Sequence, residues 1–455
     1  MSPIAVDTPI ELIIRGGRLV TPEGIQQADL AVAEGVIVKI APEIEDSAAK
    51  EIEADGRWIF PGILDAHVHF NEPGRADWEG LASGSAALAA GGGTCFFDMP
   101  LNSEPPVLDG ARLREKRLLA EQRSCTDFAL WGGLVPGNLD QLAGLRNAGA
   151  IGLKAFMCAS GIDSFPCVDA ASLRAGMVRA AELGMLVAVH AEDDAMAARL
   201  TAEARAKGSD ARAYLASRPV EVELAAIRTA LELAGETRCA LHIVHVSSPE
   251  GVELVTEAKG RGVDVTAETC PHYLLLTDKD VLRLGAPAKC APPLRSDARR
   301  KGLWTKVWAG EIATIGSDHS PAPPGMKTSP DFFAIWGGIG GVQHGAELLL
   351  SETGPDGDLP YLAAALSRNV ARRFRIDRRK GRLAEGFDAD LSLLEFGAPR
   401  TIAASELYTR HQISPYIGRR SRARFTHTFV RGHAVWSDCR LTTPAPHGRF
   451  IRPDA

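Results

Sequence analysis

Between residues 58 and 318 of this 455-residue chain, short runs of apolar, β-branched and aromatic residues alternate with Ala/Leu/Glu/Arg-rich stretches of helical character. Repeated strand–helix units give a parallel sheet with helices packed on it, so this alternation constrains the fold more than any other feature. The strand candidates are WIFPGILDAHV (58–68), TCFFDMP (94–100), FALWGGL (128–134) and IGLKAFM (151–157), followed by MLVAVHA (185–191), ALHIVHV (240–246), DVTAETC (264–270) and IATIGSD (312–318). Helix-like segments such as ASLRAGMVRAAELG (171–184) and PVEVELAAIRTALELAG (219–235) lie between most of them. Eight such units over about 260 residues fit a TIM-type (β/α)8 barrel of the α/β class.

The two ends have a different texture. ELIIRGGRLV, ADLAVAEGVIVKI and KEIEADGRWI near the start, and DADLSLLEF (388–396) and ARFTHTFVRGHAVW (423–436) near the end, read as short strands cut by Gly, Pro and Asp. They suggest one small β-domain built from both ends; two unrelated caps are the other arrangement. The expected division is 1–57 and 378–455 for the β-domain and tail, with 58–377 as the catalytic barrel.

A net charge of −6 offers no basic surface for nucleic acid or an anionic membrane. Cysteines are scattered, with no CxxC pair, and read as reduced thiols of a cytoplasmic protein. The N-terminus lacks the basic-then-apolar pattern of a secretion signal. No stretch reaches the roughly 18 uncharged apolar residues of a membrane span.

The informative polar residues sit at the C-terminal ends of the strand candidates, where a barrel carries its catalytic groups. They are His67 and His69 on the first, Lys154 on the fourth, His190 on the fifth, His245 on the sixth and Asp318 on the eighth. His67 and His69, two apart in a strand, face the same way and can share one ion. An HxH pair alone reads as two rim histidines; four further metal-capable residues on other strand ends outweigh that reading. His242 and His245 face opposite ways in a regular strand, so only His245 is expected at the mouth. Asp318 ends an apolar strand, where a carboxylate is costly to bury without a cation or donor. Lys154 lies in an apolar run and, as an ammonium, has no lone pair for a metal. A Schiff-base lysine, an ion-pair partner and a carbamylated lysine all remain open. Long connections at 192–219 and 319–344 are expected at the substrate face.

Taken in order, FPGILDAHVHFNEPG, GLKAFM, VHAED, HIVHVSSPEG, ETCPHYL and GSDHSP resemble the cyclic amidohydrolases, a family of dihydroorotases, hydantoinases and allantoinases. The resemblance spans nearly the whole chain. It implies that His67, His69 and Asp318 hold one divalent ion, that His190 and His245 hold a second, and that Lys154, carboxylated at Nζ by CO2, bridges them. It also implies a β-sandwich from both ends and a homotetramer. Zinc is the default metal, with Fe2+, Co2+ or Mn2+ suited to the same ligands.

Within that family MPLNSEPP (99–106), KCAPPLR (289–295), SDHSPAPPGMK (317–327), FAIWGGIGG (333–341) and YTRHQISPYIGR (408–419) look like the allantoinases. Dihydroorotases carry an arginine for the substrate carboxylate where this chain has Asn71, which fits a neutral hydantoin. Asn71, Asn102 and backbone at Cys290, Ala291, Pro292, Gly337 and Gly338 are the implied substrate contacts, though Asn71 can equally serve a turn and Asn102 does so less readily. The expected reaction is attack of a metal-bridging hydroxide on the ring amide of allantoin, with Asp318 passing the proton to the leaving nitrogen and allantoate as product. A hydantoinase or dihydropyrimidinase is the near alternative; a non-catalytic scaffold is the remote one. His272 is a candidate support for the site, and His319 is expected to point away from it.

Overall fold

A computed structural model describes residues 9–442 and 446–454. The central sheet is parallel, with strands Ile63–Val68, Gly93–Asp98, Asp127–Leu130 continued by Gly132–Gly133, Leu153–Phe156, Val187–His190, Leu241–Ile243, Val265–Thr269 and Thr314–Ile315. These are the eight barrel strands expected, each shorter than the apolar run that announced it. The hydrogen-bonded ladder does not run unbroken around the barrel. It divides at Trp131, between the two halves of the third strand. The eighth and first strands meet only through a bridge between Val68 and His319.

Each strand buries both faces, as a sheet wrapped by helices must. In the fourth strand Leu153 and Ala155 join the core beneath the helices, while Phe156 joins the cluster filling the barrel. The alternation therefore sends Lys154 inward too. Helix Ala170–Glu182 shows why the intervening segments fold as they do. Asp169 accepts a hydrogen bond from the Ser172 N–H at its start, and Leu173, Gly176, Met177 and Ala180 form a buried stripe of helical period. The connection at 192–219 holds helices Asp194–Arg205 and Ala211–Ser217, whereas 319–344 holds only single turns at Pro324–Lys327 and Phe332–Ala334.

Both chain ends enter one nine-stranded sheet rather than two caps. The strand joining them is Trp58–Pro61, which runs parallel to Leu12–Thr21 and antiparallel to Leu391–Thr401. The apolar run 58–68 is thus two strands in two sheets. They part at Gly62, where a Cβ would run into the Thr94 side chain. Leu12, Leu30 and Ile59 from one end share a buried cluster with Leu391, Leu393 and Phe429 from the other. Among the described residues no helix is long and apolar enough to cross a membrane.

Candidate active site

His67, His69, Lys154, His190, His245 and Asp318 are all buried at the C-terminal end of the barrel. Regular alternation would not deliver the first pair. Leu64 and Ala66 already line the interior, so His67 and His69 would face outward in an unbroken strand. A register shift between Asp65 and Val68 turns them in instead. His67 Nε2 and His69 Nε2 then lie 3.2 and 3.4 Å from Asp318 Oδ1. The three side chains close on a space that a single ion would fill.

His190 and His245 form the second half. Their Nδ1 and Nε2 atoms stand 2.9 Å apart, and the His245 ring stacks at 5.4 Å on His67. His245 and Asp318 both lie beyond their hydrogen-bonded strands with φ of 42° and 45°. A left-handed backbone is rare for such residues and marks a site where function overrides local preference. It also corrects the expectation drawn from His242. That residue and His245 do not face opposite ways, because the strand ends at Ile243 and the chain swings back. His242 lies deeper in the barrel, against Thr266 Oγ1 at 2.7 Å and Glu268.

Carboxylates that sequence reasoning passed over hold these rings. Glu268 Oε1 sits 2.8 Å from His67 Nδ1, which leaves Nε2 turned toward Asp318. Glu192 Oε2 sits 2.8 Å from His190 Nε2 and is itself paired with Arg218. Such partners fix the tautomer and orientation of a metal-binding imidazole. Glu223 accepts hydrogen bonds from Ser247 N, Ser247 Oγ and Ser248 Oγ, pinning the turn after His245. A signal for Glu268 was present, since a carboxylate inside DVTAETC is as anomalous as Lys154 inside IGLKAFM.

Burial raises a carboxyl and lowers an imidazole, and the outcome depends on neighbours. Burial alone would raise Asp318, yet His67, His69 and His245 hold it well below the ordinary carboxylate range. Glu268 and Glu192, raised by burial, are brought to about 2 chiefly by His67 and Arg218 respectively. Burial drives His245 well down and lowers His69 and His190, which favours the uncharged ring in each. Burial takes Lys154 down to about 8 against the opposing fields of Asp318 and Glu268. Its Nζ has no hydrogen-bond partner and stands 5.2 Å from the centre of the Phe156 ring.

The expected substrate contacts divide. Asn71 is fully buried, adopts φ 67°, and has no partner for either amide atom. Asn102, also at φ 67°, places Nδ2 3.3 Å from His69 Nδ1 and leaves Oδ1 unpartnered. The Cys290 and Pro292 carbonyls are taken by the Tyr214 and Tyr273 hydroxyls at 2.8 and 2.6 Å, on either side of Ala291. Gly338 has its N–H and C=O engaged by Lys289 and Lys327, whereas the Gly337 peptide forms no bond among the described residues. His272 opens the turn Pro271–Leu275, is buried, and has neither ring nitrogen bonded. His319 turns away to Glu79, 3.3 Å from Nε2.

A family model described as "Amidohydrolase family" matches residues 58–435. The chain belongs to the amidohydrolase family. This amidohydrolase is 50% identical over 447 residues to the allantoinase of Deinococcus radiodurans, covering 98% of this chain and 99% of that one. It is 49% identical over 449 residues to the allantoinase of Rubrobacter xylanophilus, covering 97% and 98%. Among solved structures, the L-hydantoinase (dihydropyrimidinase) from Arthrobacter aurescens matches with a TM-score of 0.94 at 34% identity, over 97% of this chain and 100% of that one. The amidohydrolases are metal-dependent enzymes, and the buried group of His67, His69 and Asp318 offers ligand atoms suited to such an ion.

Proposed function

We propose that the chain hydrolyses the ring amide of allantoin to give allantoate. Two divalent cations would be held by His67, His69 and Asp318 and by His190 and His245, with Lys154 bridging them as N6-carboxylysine. Lys154 carries this reading: a fully buried lysine with no partner for Nζ, between two imidazole sets, has no structural task as an ammonium. Carboxylation by CO2 would give it oxygens to offer both sides, and burial helps by favouring the uncharged amine that reacts. A Schiff base would use the same amine, but the surrounding imidazoles and carboxylate suit cations better than a carbonyl substrate. No ion pair relieves the ammonium among the described residues.

Bound cations would supply Lewis acidity and a lowered pKa for water near neutrality. The protein's own groups do the rest. Asp318, kept ionised by its histidines, accepts the proton of the attacking water at a carboxylate oxygen and delivers it to the ring nitrogen as the C–N bond breaks. Glu268 and Glu192 keep His67 and His190 from rotating. Asn71, uncharged and with both amide atoms free, suits a neutral hydantoin ring carrying a ureido arm. The Gly337 peptide and Asn102 Oδ1 are further hydrogen-bonding groups for the same ring.

Zinc as the metal, a cytoplasmic location and a homotetramer belong to the same proposal. The decisive experiment is turnover of allantoin, hydantoin, dihydrouracil and dihydroorotate by purified protein, with metal content measured on the same sample. Allantoin is expected to lead by a wide margin; preference for hydantoin or dihydrouracil would overturn the reading. A hydantoinase is the second possibility, favoured by the backbone likeness to the Arthrobacter enzyme.

A further inference from the structure

Two lysines outside the candidate metal centre are committed in an unusual way. Lys289 directs its Nζ to the carbonyl oxygens of Phe332 at 2.7 Å, Phe333 at 3.2 Å and Ile335. Lys327 donates to the carbonyls of Trp336 at 2.8 Å and Gly338 at 2.7 Å. The backbone of Lys289 completes the arrangement, its own carbonyl accepting from the Gly338 N–H at 2.8 Å. Neither ammonium forms an ion pair with a carboxylate among the described residues. Burial draws Lys289 down to about 7 and Lys327 to about 8.

The stretch so captured, 332–338, has no regular structure beyond the turn Phe332–Ala334, so local geometry alone does not fix its shape. It nevertheless runs beside the candidate centre. Ile339 bridges His319, and a Cβ on Gly338 would run into the Ser320 backbone. Trp336 packs edge-on at 4.8 Å against Trp78, which lies on the loop following the His67 strand. Gly337, whose own N–H and C=O form no hydrogen bond among the described residues, lies against the Lys289 stem, where an added Cβ would find Lys289 Cε at 3.9 Å.

We infer that Lys289 and Lys327 are positioning residues for substrate selection. They clamp 332–338 by its carbonyls, so that the free Gly337 peptide and the Trp336 ring form a fixed wall against the substrate's side arm. The inference rests on the proposed allantoin reading for the nature of that arm. Lysine suits the task because an ammonium on a flexible stem offers three donors to converging carbonyls, which a planar guanidinium cannot match in so small a space.

The test compares kcat/KM for allantoin with that for unsubstituted hydantoin in wild type, Lys289→Met and Lys327→Met, each zinc-loaded, with Tm and zinc content recorded. Loosening the wall is expected to lower the allantoin-to-hydantoin ratio by about tenfold, mainly through KM for allantoin. Zinc content should hold, and Lys327→Arg, which keeps a donor for two carbonyls, should recover part of the ratio. An unchanged ratio in either folded variant overturns the clamp. Should Lys289→Met fail to fold, Lys327→Met decides alone, because Lys327 ends the single turn Pro324–Lys327, which contributes no residue to the core. A wild type unable to open allantoin would instead sink the substrate reading, which separates the two failures.

Discussion

Two buried clusters lie at opposite ends of the barrel, Asp127, Asp388 and Asp390 at one and His67, His69 and Asp318 at the other, each close enough to hold a metal, and they are resolved in different ways. At the N-terminal end Asp127, Asp388 and Asp390 surround Lys380, whose Nζ lies 2.5, 2.9 and 2.5 Å from them. Arg431 adds a second cation on Asp127. At the C-terminal end Asp318 faces the imidazoles of His67 and His69, and Lys154 makes no bond with it. The lower cluster carries its own cations and is a tie between barrel and chain-end sheet. The upper one is completed only by something from outside. Acidic groups in proximity are therefore a poor guide to a metal site; the presence or absence of an internal cation is the better one.

The comparison predicts unequal responses to substitution. Lys154→Ala should lower turnover by about 10⁴-fold, with partial recovery on adding bicarbonate or short carboxylic acids. Full metal content and activity in that variant would erase the distinction between the clusters. Asp318→Asn should cost about 10³-fold in kcat while leaving circular dichroism unchanged. Lys380→Met leaves Asp390 with no cation, Asp127 with Arg431 alone and Asp388 with Arg379 alone, and should destabilise by about 3–5 kcal/mol in urea unfolding, with zinc content of the folded protein unaltered. If it instead lost zinc at full stability, the lower cluster would not be a structural tie. Glu268→Gln sharpens the upper cluster. Zinc should bind about 10–100-fold more weakly, measured by competition with a chelator.

Much of this organisation is legible in the amino-acid order, for identifiable reasons. The barrel strands announce themselves because strands buried on both faces must be apolar throughout, and Lys154 stands out against that background. His67, His69, His190, His245 and Asp318 follow from their common place at strand ends. The partners that hold them are harder to see, because they depend on closure of the barrel. Glu268 is 201 residues from His67, and nothing periodic links them. The route by which His67, His69 and His245 reach the site also escapes pattern reading. A register shift and a left-handed backbone each break the alternation from which their directions were argued. Lys289 and Lys327 were visible only as members of motifs, since their work is done on backbone carbonyls that any sequence would supply.

The strand Trp58–Pro61 has one further consequence. It leads directly into the HxH strand, and its two neighbours, Leu12–Thr21 and Leu391–Thr401, come from opposite ends of the described residues. The base of the histidine strand is therefore anchored by segments from both ends, so loosening either flanking strand is expected to slacken the HxH pair above it.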